Sequence, residues 1–86
     1  MIKRTITLPD GQVLKHKDAV DFVQVANRFD SHIMIEKREK IVNAKSLLGI
    51  LSLGTMGGGD MLLAVDGPDE EAAAEAICEI VKVIFK

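Results

Sequence analysis

Three places in the 86-residue chain hold residue types able to do chemistry. The first is Asn43-Ala44-Lys45-Ser46, followed at once by Leu47-Leu48-Gly49-Ile50-Leu51. A hydroxyl at the N-cap of a helix, beside a lysine, suits phosphorylation, because the helix dipole and the free first-turn amides favour a dianion there. An ordinary Ser cap over a core helix is the commoner meaning of the same residues. The second is Lys15-His16-Lys17-Asp18 at the start of a predicted helix, where exposed N–H groups favour an anion and His16 could act as a nucleophile. A solitary histidine in a polar stretch is ordinarily only solvated. The third is Gly57-Gly58-Gly59, which has the composition of a phosphate-cradling loop but lacks the Lys-Ser pair of a P-loop and reads as a flexible connection into a strand.

The elements that must carry these residues follow from hydrophobic spacing. Ile2, Arg4, Ile6 and Leu8 alternate with Lys3, Thr5 and Thr7, predicting a strand that ends at Pro9-Asp10-Gly11, with Arg4 its one discordant member. Ala19, Phe22, Val23 and Ala26 recur at helical spacing and predict a helix from about His16 to Phe29, closed by Asp30 and Ser31. Ile33 and Ile35 alternate with His32, Met34 and Glu36. The charged turn Lys37-Arg38-Glu39-Lys40 then joins them to Ile41-Val42-Asn43 as a hairpin. Ser46 caps a short helix running toward Gly54. Met61 to Val65 forms a compact apolar strand before the turn Asp66-Gly67-Pro68-Asp69. Ala73, Ala76, Ile77, Ile80, Val83 and Ile84 stripe the last helix, with Glu70, Glu71 and Glu75 early and Lys82 and Lys86 late, complementing its dipole. The order predicts an α+β domain whose helices cover one face of an antiparallel sheet. Spacing leaves the strand order open, and a ferredoxin-like arrangement gives almost the same string.

A chain of this length makes one domain, residues 1–86, too small for a deep substrate cavity. With 48% hydrophobic and 28% charged residues it has the composition of a folded rather than a disordered chain. A net charge of −2, three Phe and neither Tyr nor Trp supply neither the basic excess nor the stacking platforms of a direct nucleic-acid binder. Cys78 has no partner for an internal disulfide, and with two histidines it offers no metal-site spacing, so neither metal nor cofactor is expected. A reducing, cytoplasmic setting is expected instead. No secretory signal opens the chain, and the longest apolar run, Leu47 to Leu53, falls far below the ~18 residues of a membrane span.

The run from Glu39 through Lys45-Ser46 to Gly54 resembles the regulatory-serine signature of HPr, the small phosphocarrier of the bacterial sugar phosphotransferase system. Phe22-Val23-Gln24-Val25-Ala26-Asn27-Arg28-Phe29 is similar to the corresponding first-helix segment, most of all that of the catabolite-repression HPr paralogues of Gram-positive bacteria. The order of elements and the Asp66 to Glu71 turn extend the resemblance over nearly the whole chain. It implies the HPr fold, an open-faced β-sandwich of a four-stranded antiparallel sheet with three helices on one face, in place of a ferredoxin-like order. Ordinary HPr carries a Gly-Ile-His-Ala-Arg-Pro-type motif in which the His takes the phosphoryl group and the Arg helps hold it. Counting back without a gap from Phe29-Asp30 puts Lys15 at the position of that His, His16 at the Ala, Lys17 at the Arg and Asp18 at the Pro. A lysine amine, with a reference pKa of about 10.4, is protonated and has no lone pair for attack. His16 is one position late, which is about 100° around a helix.

The resemblance thus implies a non-enzymatic signalling relative, phosphorylated at Ser46 by the bifunctional HPr kinase/phosphorylase. In this family such proteins act as corepressors by docking on the transcription regulator catabolite control protein A. Leu47, Leu48 and Leu51 would form the partner surface, Lys45, Lys15 and Lys17 a basic rim, and Ile50 would face inward. Two alternatives stand beside this reading. One is a phosphocarrier that uses His16 as acceptor. The other is a structural or scaffold protein with neither modification, whose Leu47, Leu48 and Leu51 surface closes a homo-oligomer.

Overall fold

The computed structural model describes residues 1–8, 14–54 and 59–84, and in it each period-two stretch becomes a strand and each helical stripe a helix. In chain order these are β1 (Ile2–Leu8), α1 (His16–Ala26), β2 (His32–Lys37), β3 (Lys40–Asn43), α2 (Leu47–Gly54), β4 (Gly59–Asp66) and α3 (Glu70–Ile84). The strands form one antiparallel sheet in the order β1-β4-β2-β3. The two inner positions thus go to β4 and β2, whose central residues are the most apolar. Pro9-Asp10-Gly11, Gly57, Gly58 and Lys86 lie outside the described residues.

Register decides which face is buried. Val65 pairs with both Ile2 and Ile33, Leu63 with Arg4 and Ile35, and Ile35 with Val42, so these side chains line one face in rows. The helices cover that face with Ala19, Phe22 and Ala26 of α1, Ile50 and Leu53 of α2, and Ala73, Ala74, Ile77 and Val81 of α3. The small residues among them let the helices approach closely. The opposite face carries Lys3, Thr5, Met34, Glu36, Ile41, Leu62 and Ala64 and has no covering layer among the described residues, leaving Ile41 60% exposed. Arg4 sits on the helix side yet stays exposed, because β1 is an edge strand and its guanidinium can reach solvent beside α3.

Three parts of the chain differ from the spacing. β4 begins at Gly59 rather than Met61 and ends at Asp66 rather than Val65, because β1 continues the pairing through Thr7 with Asp60 and Leu8 with Gly59 and β2 pairs His32 with Asp66. α1 ends at Ala26 rather than near Phe29, because Asn27 turns its side-chain amide back onto the Val23 carbonyl at 2.9 Å. The following amides make tighter three-residue bonds, Arg28 N to Val25 O at 3.1 Å and Phe29 N to Ala26 O at 3.4 Å. Lys37, read as a turn residue, is instead the last residue of β2 and is buried, since the two-residue period continues it onto the face of Ile33 and Ile35. Burial, and then the neighbouring Arg38, lower its amine pKa. The turn proper is Arg38-Glu39, both left-handed with φ of 50° and 68°, the geometry of a two-residue hairpin loop. Among the described residues no helix is long and apolar enough to cross a membrane.

Candidate functional site

Ser46 is positioned by a tight exit from β3. Ala44 N donates to Ile33 O at 2.8 Å, which extends the sheet pairing one residue and buries Ala44 completely. Asn43 then folds the chain over. Its side-chain Oδ1 accepts from Lys45 N at 2.8 Å and its carbonyl from Ser46 N at 2.9 Å. Ser46 emerges exposed, with Oγ accepting from Gly49 N at 3.3 Å and its carbonyl from Ile50 N at 3.0 Å. This is the N-cap arrangement, a side-chain oxygen on the third helical amide. The amides of Leu47 and Leu48 precede the first intrahelical bond and face the same end. Gly49 allows α2 to lie close on β3, since a Cβ there would sit 3.1 Å from Val42 Cβ.

Around the hydroxyl the leucines separate by angle. Ile50 turns inward at 3% exposed, Leu47 and Leu51 are half-buried against the core, and Leu48 stands 82% exposed. Lys45 is half-buried. Its ammonium donates to the Phe29 carbonyl at 2.6 Å, and its own carbonyl accepts from Asn27 Nδ2 at 3.4 Å. The start of α2 is therefore stitched to the end of α1.

Lys15, His16 and Lys17 are exposed at the other end of α1. Lys15 is the N-cap residue and makes no side-chain cap bond. Twelve residues separate it from Asn27, which at 1.5 Å per residue is roughly 18 Å of helix. Since Asn27 touches Lys45, the fold gathers Ser46, Lys45 and the leucines at the end of α1, whereas Lys15, His16 and Lys17 stand at its start.

One part of this region has no local signal in the sequence. Asp69, at the start of α3, reaches across to the corner between α1 and β2. Its Oδ2 accepts from Asp30 N at 3.0 Å, and its Oδ1 from Ser31 N at 3.0 Å and Ser31 Oγ at 2.5 Å. Asp69 N donates back to Ser31 Oγ at 3.2 Å. The Ser31 hydroxyl, followed by the Asp30 amide, holds the carboxyl below the ordinary carboxylate range. Gly67 completes this clasp: its φ is +155°, and a Cβ on it would fall 2.5 Å from Ser31 Cα. The partners lie 38 and 39 residues apart in sequence.

Four antiparallel strands under three helices make an open-faced sandwich, with an exposed serine capping its short second helix, and comparison with known proteins gives this architecture its family. The family model described as the PTS HPr component phosphorylation site matches residues 2–83. Two proteins named HPr-like protein Crh, from Halalkalibacterium halodurans and Bacillus subtilis, are 39% and 42% identical to the chain over 82 residues. That is 95% of this chain and 98% and 96% of theirs. The crystal structure of HPr-C-His from Thermoanaerobacter tengcongensis matches with a TM-score of 0.86 at 40% identity, covering 99% of this chain and 96% of that one. The crystal structure of Bacillus subtilis Crh, described as a swapped, intertwined dimer, matches with a TM-score of 0.74 at 35% identity, covering 100% and 99%. The chain belongs to the HPr family. Within it, the chain is an HPr-like protein of the phosphotransferase and catabolite-repression group.

Proposed function

We propose that this protein is a regulatory HPr of the Crh kind, marked at Ser46 by HPr kinase/phosphorylase and read as a corepressor by a regulator of the catabolite control protein A type. The observation that carries the reading is the pairing of an exposed cap hydroxyl at Ser46 with the 82% exposed Leu48 two residues on. In the marking step the bond from ATP's γ-phosphorus to its bridging oxygen breaks as the Ser46 Oγ–P bond forms. ADP leaves, and the serine proton passes to a base on the kinase. The product places about −1.5 to −2 charges against the first-turn amides of α2, where the dipole favours them. A partner presenting Arg or Lys gains charge-assisted bonds to the phosphoryl oxygens, and Leu48, with Leu47 and Leu51 beside it, supplies the apolar anchor.

Counted back along the resemblance, Lys15 takes the place of the family's acceptor histidine, and an ammonium has no lone pair with which to attack a phosphoryl group. Its charge and that of Lys17, at the start of α1, instead form a basic rim. The chain acts as one domain, residues 1–86, in the cytoplasm, and bears the mark rather than catalysing a reaction. The swapped dimer of Bacillus subtilis Crh supports a homodimer here as well, which light scattering checks.

Incubation with HPr kinase and ATP should add one phosphoryl group at Ser46, located by mass spectrometry, and Ser46→Ala should abolish it. Incubation with phosphoenolpyruvate and enzyme I should add none. Labelling that survives Ser46→Ala removes the site assignment. Acid-labile phosphate that disappears in His16→Ala would make the protein a carrier that uses His16.

A further inference from the structure

Lys45 precedes Ser46 directly, yet its ammonium is committed elsewhere. Nζ donates to the Phe29 carbonyl at 2.6 Å in part-buried surroundings. That carbonyl lies just beyond α1, at the negative end of the helix dipole, and the last turn of α1 contains no basic residue of its own. Phe29 O and Asp30 N are the two ends of one peptide group, and Asp30 N donates to Asp69 Oδ2 at 3.0 Å. A cation therefore pulls on the oxygen of this peptide while a carboxylate pulls on its hydrogen, and each polarises the group in favour of the other. The Lys45 main chain is held independently, its N–H on Asn43 Oδ1 at 2.8 Å and its carbonyl on Asn27 Nδ2 at 3.4 Å. The ammonium can leave without the loop moving.

We infer that Lys45 is a latch opened by phosphorylation of Ser46: its ammonium leaves the Phe29 carbonyl for the phosphoryl group, and the release passes through the Phe29–Asp30 peptide to Asp69 at the start of α3. The inference rests on Ser46 being the phosphorylated residue. Its direction follows from comparing the two partners of the ammonium. On Phe29 it meets one neutral carbonyl. On the adjacent phosphoserine it meets about −1.5 to −2 charges and three strong acceptor oxygens. A bond between two ions is stronger than one between an ion and a dipole, so the phosphoryl group wins. The mark on α2 is then felt at the corner between α1 and β2 and at the first turn of α3, with no change of fold.

The test uses the ¹⁵N-labelled full chain before and after treatment with HPr kinase and ATP, with occupancy at Ser46 fixed first by mass spectrometry. On phosphorylation the Asp30 amide proton should move upfield as its bond to Asp69 weakens. Its shift should exceed that of any other amide outside residues 43–50. Lys45→Met should bring Asp30 to nearly the same position without phosphate, and phosphorylation should then move it no further. Lys45→Gln, which keeps a neutral donor, should give an intermediate position and serves if the methionine variant does not fold. A labelled protein whose Asp30 amide stays in place, or moves equally in both variants, overturns the latch and leaves the phosphosite standing. Absence of label at Ser46 overturns both.

Discussion

Replacing Gly67 with alanine should destabilise the protein by about 1–5 kcal/mol, a large share of the ~5–15 kcal/mol a domain possesses. The new Cβ would lie 2.5 Å from Ser31 Cα, 2.5 Å from Ser31 Oγ and 2.8 Å from Ser31 Cβ. Ser31 is fully buried, and its Cα is backbone, so no rotamer change clears the contact. Overpacking of this kind costs ~1–3 kcal/mol. An L residue held at a φ of +155° adds strain of roughly 1–3 kcal/mol. Alanine's narrower unfolded ensemble returns only ~0.4–1 kcal/mol. Urea unfolding followed by circular dichroism at pH 7 measures the net effect. Adding Ser31→Gly removes two of the three close atoms, so the pair should show a favourable coupling of at least about 1 kcal/mol. A Gly67→Ala protein within 1 kcal/mol of the parent, or a pair whose effects simply add, would refute the close approach on which the clasp depends.

Asp69→Asn should flatten the acid limb of the stability curve. The folded carboxyl is held below the ordinary value, so its contribution is fully present above an unfolded pKa of about 4 and is lost as pH falls through the folded value. Urea midpoints of parent and variant should differ most at neutral pH and draw together as pH falls below about 4. Gly49→Ala gains roughly 1 kcal/mol of helix propensity. It also forces Val42 off a 3.1 Å contact, so overpacking of ~1–3 kcal/mol should leave a net loss in denaturant melts, with Ser46 still labelled by the kinase. Leu48→Asp should change stability by no more than about 0.5 kcal/mol, because the side chain is exposed. Titration calorimetry with the phosphorylated form should show its affinity for the regulator falling at least about tenfold, as loss of an interface anchor does.

What could be read from the chain and what could not divides by distance along the sequence. β2 and β4 were legible because Ile33 and Ile35, and Met61, Leu63 and Val65, repeat with the pleat, and α3 because its stripe repeats with the helix. The Ser46 cap was legible for the same reason, since its partner Gly49 is three residues away. The same two-residue period already placed Lys37 on the buried face, but four successive charged residues concealed it as a turn. The end of α1 was misplaced because Asn27 both folds back on Val23 and reaches Lys45, 18 residues on, and no periodicity records that second partner. The strand order depends on β1 pairing with β4 across more than fifty residues, which no local spacing records. The site divides likewise. Its hydroxyl, its leucines and the lysine in place of a histidine can be counted off locally, whereas the bonds from Lys45 to Phe29 and from Asp69 to Ser31 exist only after the sheet has brought distant corners together. The residue proposed for marking therefore lies in a short segment, while the contacts proposed to carry the mark, from Lys45 to Phe29 and from Asp30 to Asp69, belong to the folded chain. On the proposed reading, Ser31→Ala or Asp69→Asn should change the response of the Asp30 amide to phosphorylation while leaving the segment around Ser46 intact.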